Sequence, residues 1–231
     1  MKKIMMFFIV MALFCVTACG QGQSAAPTPT TAPTATTAPQ QSQGNGQLTA
    51  EELSFFEEKF FTTETEYPGR WIRNNILYTE FTEPAKADLE AMLYNESGVE
   101  DISEEEYAFL KAQMGELFDV SKFTTAYINE MLQTYLGITL EESEKIGLDK
   151  LIYNAEYDAY YLVCSDALGV FVKLEEGYES ESGVVTLIYR RSTEPLSNLT
   201  EAQVQELPRY LTALLKTENG YQYLLNQAIV E

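Results

Sequence analysis

Residues 20–47 draw on only seven residue types, Gly, Gln, Ser, Ala, Pro, Thr and Asn, and hold four of the eight prolines, at positions 27, 29, 33 and 39. Nothing there is apolar enough to offset the entropy lost on ordering a chain, so the stretch is expected to be an extended, disordered tether. Its reach falls between roughly 30 Å as a coil and 90 Å as polyproline II. From Leu48 the residues turn acidic, aromatic and periodic, with no second linker. Residues 48–231 therefore read as one domain, large enough to bury a core of its own.

Charge follows the same division. Residues 1–50 carry only Lys2 and Lys3, so all 35 Asp and Glu and the other 13 of the 15 Lys and Arg fall in 51–231. That stretch is at −22, against −20 for the whole chain. So negative a surface repels phosphate backbones, and nucleic acid is excluded as a partner. The chain has no histidine. Ser-His-Asp and Cys-His nucleophiles, and His-ligated zinc or haem, are thereby removed. Walker, Gly-rich dinucleotide and Ser-x-x-Lys patterns do not occur either, so no cofactor is called for.

The N-terminus reads as an address. Met1-Lys2-Lys3 is a basic n-region, and Ile4–Val16 is an uncharged apolar run. That run is shorter than the about 17–25 residues needed to span a bilayer, and it fits a signal peptide. It ends in Val16-Thr17-Ala18-Cys19-Gly20, which resembles the lipobox of bacterial lipoproteins. The resemblance implies cleavage between Ala18 and Cys19 and diacylglycerol on the Cys19 thiol. Residues 1–18 would then be the signal peptide and 19–47 a lipid-anchored tether. The domain would stand on the outer face of a cell membrane, with that membrane as its partner through the lipid. Cys15 would leave with the signal, and Cys164, in the apolar run Tyr160–Cys164, would remain as a small buried hydrophobe without a disulfide partner.

The first half of the domain has helical periodicity. Thr49-x-x-Glu52 and Ser103-x-x-Glu106 are capping boxes, the first opening a helix with Leu53, Phe56, Phe60 and Phe61 on one face. The second precedes Tyr107, Leu110, Met114, Leu117 and Phe118 at helical spacing. Thr139-x-x-Glu142 predicts a further short helix toward Lys145, and Pro84 predicts the first turn of a helix carrying Leu89, Met92 and Leu93. A helix over 125–136 buries Tyr127, Ile128, Met131, Leu132 and Tyr135 and stops at Gly137, and another short one covers 68–77. The second half is β-rich at 160–164, 169–174 and 184–190, with an acidic loop over 175–183 and a helix over 199–207. Runs 209–217 and 221–229 flank Asn219-Gly220, a type I′ hairpin signal. Alternation there places Tyr221, Tyr223 and Leu225 toward the core and Gln222, Leu224 and Asn226 on a half-exposed face. Helices first and strands after predicts an α+β fold, its N-terminal helices packed on a C-terminal antiparallel meander.

The stretches Leu48-Thr49-x-x-Glu52-Leu53, Leu136–Glu142, Tyr157-Asp158-Ala159-Tyr160-Tyr161 with Ser165-Asp166, and Val184-x-x-Leu187-x-Tyr189 resemble a group of uncharacterised lipoproteins of Gram-positive gut bacteria. The resemblance implies a location and no activity.

Three constellations could carry function. Outside the leader the chain keeps 9 of its 12 Phe, all 15 Tyr and the Trp. Tyr157, Tyr160, Tyr161 and Tyr178 lie in or beside the expected sheet, where a phenol could stack on a sugar or dock a peptide, or simply pack. Glu175, Glu176, Glu179 and Glu181 could hold Ca²⁺, or form a solvated hairpin tip. Two facing carboxylates could hydrolyse a glycan. The function expected first is a non-catalytic binding or accessory module for a glycan or peptide. A carboxylate-pair cell-wall hydrolase and a structural partner in an envelope complex are the alternatives.

Overall fold

Two of the expected capping boxes open helices as expected, and a box at Thr200 opens the short helix expected over 199–207. The computed structural model describes residues 46–61, 70–94, 101–115, 119–164 and 170–230. Glu52 accepts from the Thr49 backbone N–H at 2.7 Å while Thr49 caps Glu52, starting α1 (Ala50–Phe56). A wider π turn over Glu57–Phe61 continues it, and Phe56, Phe60 and Phe61 are all buried. The helix α2 covers Arg70–Tyr78, α3 Leu89–Leu93, α4 Glu104–Met114 behind the Ser103–Glu106 box, and α5 Thr125–Leu136. As expected, α5 stops at Gly137, whose φ of +69° is the left-handed geometry glycine accepts. The short α6 (Glu201–Glu206) is opened by a Thr200–Gln203 box.

Three helical expectations are corrected. Thr139 and Glu142 do make their box, but the chain closes a single turn and leaves through Lys145 at φ +55°, so no helix forms. Pro84 starts only a 3-10 turn, because Ala87 is extended and Asp88 caps a separate helix, accepting from Ala91 N at 3.1 Å. On α4, Leu110 is buried, but Tyr107 and Met114 are 42 % and 46 % exposed, and Glu106 points inward instead. Leu117 and Phe118 lie outside the described residues.

Strands form two antiparallel sheets. The smaller has the order β1-β3-β2, from β1 (Asp119–Thr124), β2 (Ile152–Asn154) and β3 (Ala159–Cys164). The larger is the expected meander, β4 (Phe171–Glu179), β5 (Val184–Ser192), β6 (Arg209–Thr217) and β7 (Gly220–Ala228). The expected acidic loop is mostly strand, since β4 runs on through a bulge between Leu174 and Glu176. Gly177 makes room there for the first core residue, for a Cβ would meet Leu48 Cδ1 at 2.6 Å. One core joins Phe56, Phe60, Ile72, Ile76, Leu77, Met92 and Leu132 from the helices with Leu187, Tyr189, Leu214 and Tyr223 from the large sheet. Phe123 and Leu162 of the small sheet belong to it as well.

The C-terminal hairpin is closed by Glu218-Asn219, with Thr217 paired to Gly220. Gly220 alone has positive φ, +132°, so the turn is not type I′. A second bulge, opposite Ala213 and Leu214, makes Leu224 an extra residue and shifts the alternation. Asn226, expected half-exposed, is fully buried instead. Its Nδ2 faces the carbonyls of Ile76 and Leu77, both at 3.3 Å, and Thr79 at 2.5 Å, and its Oδ1 accepts from the Tyr189 hydroxyl at 2.6 Å. Its backbone exchanges two hydrogen bonds with Phe81, and Arg191 donates to Leu77 O and Tyr78 O at 3.0 and 2.8 Å. Sheet side chains thus satisfy the carbonyls that end α2. Replacing Asn226→Leu strands several buried polar groups and is expected to destabilise the protein by about 3 kcal/mol or more in urea unfolding. A loss below about 1 kcal/mol would show that water serves these carbonyls equally well.

Candidate functional site

Register decides which of the tyrosines meet. In the small sheet Tyr160 of β3 lies between Tyr153 of β2 and Phe123 of β1, while Tyr161 lies between Ile152 and Lys122. Adjacent strand residues point to opposite faces, so Tyr160 packs toward the main core and Tyr161 against α4. Tyr161 is buried. Tyr157, half-buried in the turn between β2 and β3, has Lys122 Nζ 5.5 Å from its ring centre. Tyr178 is on the large sheet, its hydroxyl donating to Glu176. The four tyrosines expected to share a binding face are therefore divided among three places.

One of them, Tyr160, belongs to an aromatic group that reaches solvent. Its ring stands 4.7 Å from that of Tyr153 at 40°, and Tyr153 is 46 % exposed. The Tyr153 hydroxyl donates to Asp158 Oδ1 at 2.9 Å, and Thr125 Oγ1 donates to the same oxygen at 2.7 Å. Thr125 N also donates to Asp158 O at 2.9 Å, fixing the tight turn in which Asp158 sits at φ +45°. Aspartate tolerates that conformation better than most residues, and strained turns of this kind recur at ligand sites. Hydrogen bonds from Thr125 and then Tyr153 hold the Asp158 carboxyl below its ordinary range, so it stays ionised. The carboxylate in turn pushes the Tyr153 hydroxyl up. No described residue donates to Asp158 Oδ2. The result is an immobilised aromatic surface with an open carboxylate oxygen at its end. Tyr153 was visible in the sequence, but its cross-strand position against Tyr160 depends on a register that no local motif encodes.

Behind the same sheet lies a buried ionic group. Glu106 Oε1 is 2.8 Å from Lys122 Nζ and accepts from the Tyr161 hydroxyl, and Glu106 Oε2 accepts from Ser103 N at 2.9 Å. Glu106 and Lys122 are 2 % and 6 % exposed. Burial pushes the Glu106 carboxyl up, but Lys122, Tyr161 and Ser103 together outweigh it and hold the pKa at about 2. A carboxyl so held accepts hydrogen bonds and cannot deliver a proton near neutral pH.

The four carboxylates considered for Ca²⁺ do not converge. Glu175 accepts from Arg190 Nε at 2.6 Å and Arg209 Nε at 3.0 Å, and Glu176 from Arg209 Nη2 at 3.2 Å. Glu179 ends β4, its N–H donating to Gly46 O, and Glu181 is exposed in the turn beyond. Because β4 continues as a strand, its carboxylates meet arginines of β5 and β6 instead of one another. No cluster of three metal-ligating side chains occurs among the described residues. Ala18 and Cys19 lie outside those residues. No described helix is long and apolar enough to cross a membrane.

No family model, curated protein or solved structure matches the chain.

The ion pair sets an acid limit on stability. The Glu106 pKa falls from 4.5 to about 2 on folding, so its contribution is complete above 4.5 and is lost as pH drops toward 2. Glu106→Gln leaves Lys122 buried beside a neutral amide and is expected to cost about 3 kcal/mol at pH 7. The gap between variant and native protein should narrow on acidification from pH 5 to pH 3, read by urea midpoints. A gap constant over that range would contradict the assignment.

Proposed function

We propose that this protein is a lipid-anchored, extracellular binding module, held to the membrane through Cys19 and contacting its ligand at the Tyr153–Tyr160 edge. The observation that carries the reading is the exposed Tyr153 ring, immobilised by Tyr160 and by its hydrogen bond to Asp158. A rigid phenol at the surface offers broad apolar contact at low entropic cost. Hydrolysis finds less support, since two of the least exposed described carboxylates are committed to cations. Glu106 lies on a buried lysine, and Glu175 between two arginines. The tether would carry the site clear of the headgroups, and the acidic domain would be repelled from them.

Two measurements test this reading. Cys19→Ala should release the protein from the membrane fraction, and labelled fatty acid still incorporated in that variant would refute the anchor. The purified full chain in detergent, applied to glycan and peptide arrays, should bind a restricted set of ligands and lose them on Tyr153→Ala. Array binding that survives this change would place the ligand elsewhere, and turnover of an arrayed glycan would reverse the choice of module over hydrolase.

A further inference from the structure

The ligand class can be narrowed from the chemistry around Asp158, an inference that rests on the binding-module reading above. Both side-chain donors to this carboxylate are neutral hydroxyls, Thr125 Oγ1 and Tyr153 Oη, and both use Oδ1. Among the described residues, Glu52 and Glu142 also accept only from neutral donors, inside capping boxes, and other ordered carboxylates meet cations. Glu106 faces Lys122, Glu175 faces two arginines, and Glu90 faces Lys150. Asp158 is an ionised, exposed group that meets no cationic side chain among the described residues, and it stands at the end of an exposed aromatic ring on a domain at −22. Cations are concentrated by such a field, and an ammonium gains a charge-assisted bond from a carboxylate where a neutral hydroxyl gains an ordinary one. The phenol faces add a cation–π attraction for the same charge.

We propose that the Tyr153–Tyr160–Asp158 edge binds an amino sugar bearing a free ammonium, the pyranose face lying on Tyr153 and the ammonium on Asp158 Oδ2. The geometry favours a sugar over a lysine side chain. The site is one broad open ring flanked by a second tilted by 40°, which matches the flat C–H face of a pyranose. A lysine stem would cover little of that ring, and its ammonium would find equivalent carboxylates all over this surface.

Calorimetric titration of the full chain in detergent, with the β-1,4-linked glucosamine tetramer, its N-acetylated counterpart and tetralysine, tests the proposal. The free amine tetramer should bind about tenfold tighter than the acetylated one, a preference that weakens as salt is raised. Asp158→Asn removes the charge while keeping a residue that tolerates positive φ, and it should abolish the preference without unfolding the turn. Tyr153→Ala should remove binding of both sugars. Equal, Tyr153-dependent binding of the two sugars would overturn the ammonium assignment and leave the binding module standing. Tetralysine binding as tightly as the amino sugar would overturn the sugar class. Absence of binding by all three probes would overturn the proposal, while the arrays decide the module reading separately.

Discussion

Asn226 fastens the helical half of this protein to its sheet. A helix that ends without a left-handed glycine leaves its last carbonyls in need of donors, and burying them without any would cost on the order of 1–3 kcal/mol each. The α2 helix ends in this way, under the large sheet. Its final carbonyls are met by the Asn226 amide from β7, itself held by the Tyr189 hydroxyl, and by the Arg191 guanidinium from β5. Arg191 is itself stacked on Tyr210, 3.8 Å from the ring centre, so the donor cannot wander. Apolar packing alone would let α2 slide over the sheet, whereas these directional bonds allow one position. From that position Asn75 reaches Met92 O, setting α3, and Asn74 reaches Val170 O at the entry to β4.

The distribution of cations follows from the same economy of position. With 13 Lys and Arg against 35 carboxylates beyond residue 50, cations are scarce, and several stand where burial makes an unpaired charge or carbonyl most costly. Lys122 neutralises Glu106 behind the small sheet, Arg190 and Arg209 hold the bulge of β4, and Arg191 closes α2. The cost is displaced to the exterior, where excess carboxylates are solvated and weakly coupled. Asp158 is ordered, and among the described residues its side-chain donors are hydroxyls.

Much of the architecture was legible because its determinants are local. Two residues three positions apart suffice to specify a capping box, and the Thr49 and Ser103 boxes begin helices where expected. The Thr139 box shows the limit of such signals, for the side chains made their bonds and the backbone at Lys145 still turned away. What the sequence could not show depends on register. The bulge at Leu224 breaks the alternation expected beyond Tyr223, carrying Asn226 into the core while Leu225 is only half-buried. On α4 the helical period correctly predicts Leu110, but nothing local reveals that Glu106 is buried, because Lys122 and Tyr161 lie 16 and 55 residues further along the chain. The adjacent pair Tyr160-Tyr161 looked like one aromatic feature, although strand alternation sends the two rings to opposite sides of the sheet.

That alternation also explains why the ordered aromatic edge forms where it does. Exposed strand edges invite pairing with other chains, and proteins commonly cover or shorten them. Here β4 is bridged by Gln47 at Tyr178, β7 is bridged by Phe81 at Asn226, and β2 is only three residues long. A flexible aromatic residue at the β2 edge would be an adhesive patch of low specificity. Tyr153 is instead held at both ends of its side chain, the ring against Tyr160 and the hydroxyl on Asp158, while Asp158 is pinned through Thr125 to the start of α5. Since α5 packs against β7, the strand that closes α2 through Asn226, the edge is referenced to the same joint as the core. Order of this kind at an exposed ring adds little to folding stability, because the ring remains largely in water. Its physical consequence is that a ligand meeting Tyr153 has less side-chain entropy to remove from the protein, which is the condition for selective binding on an otherwise open surface.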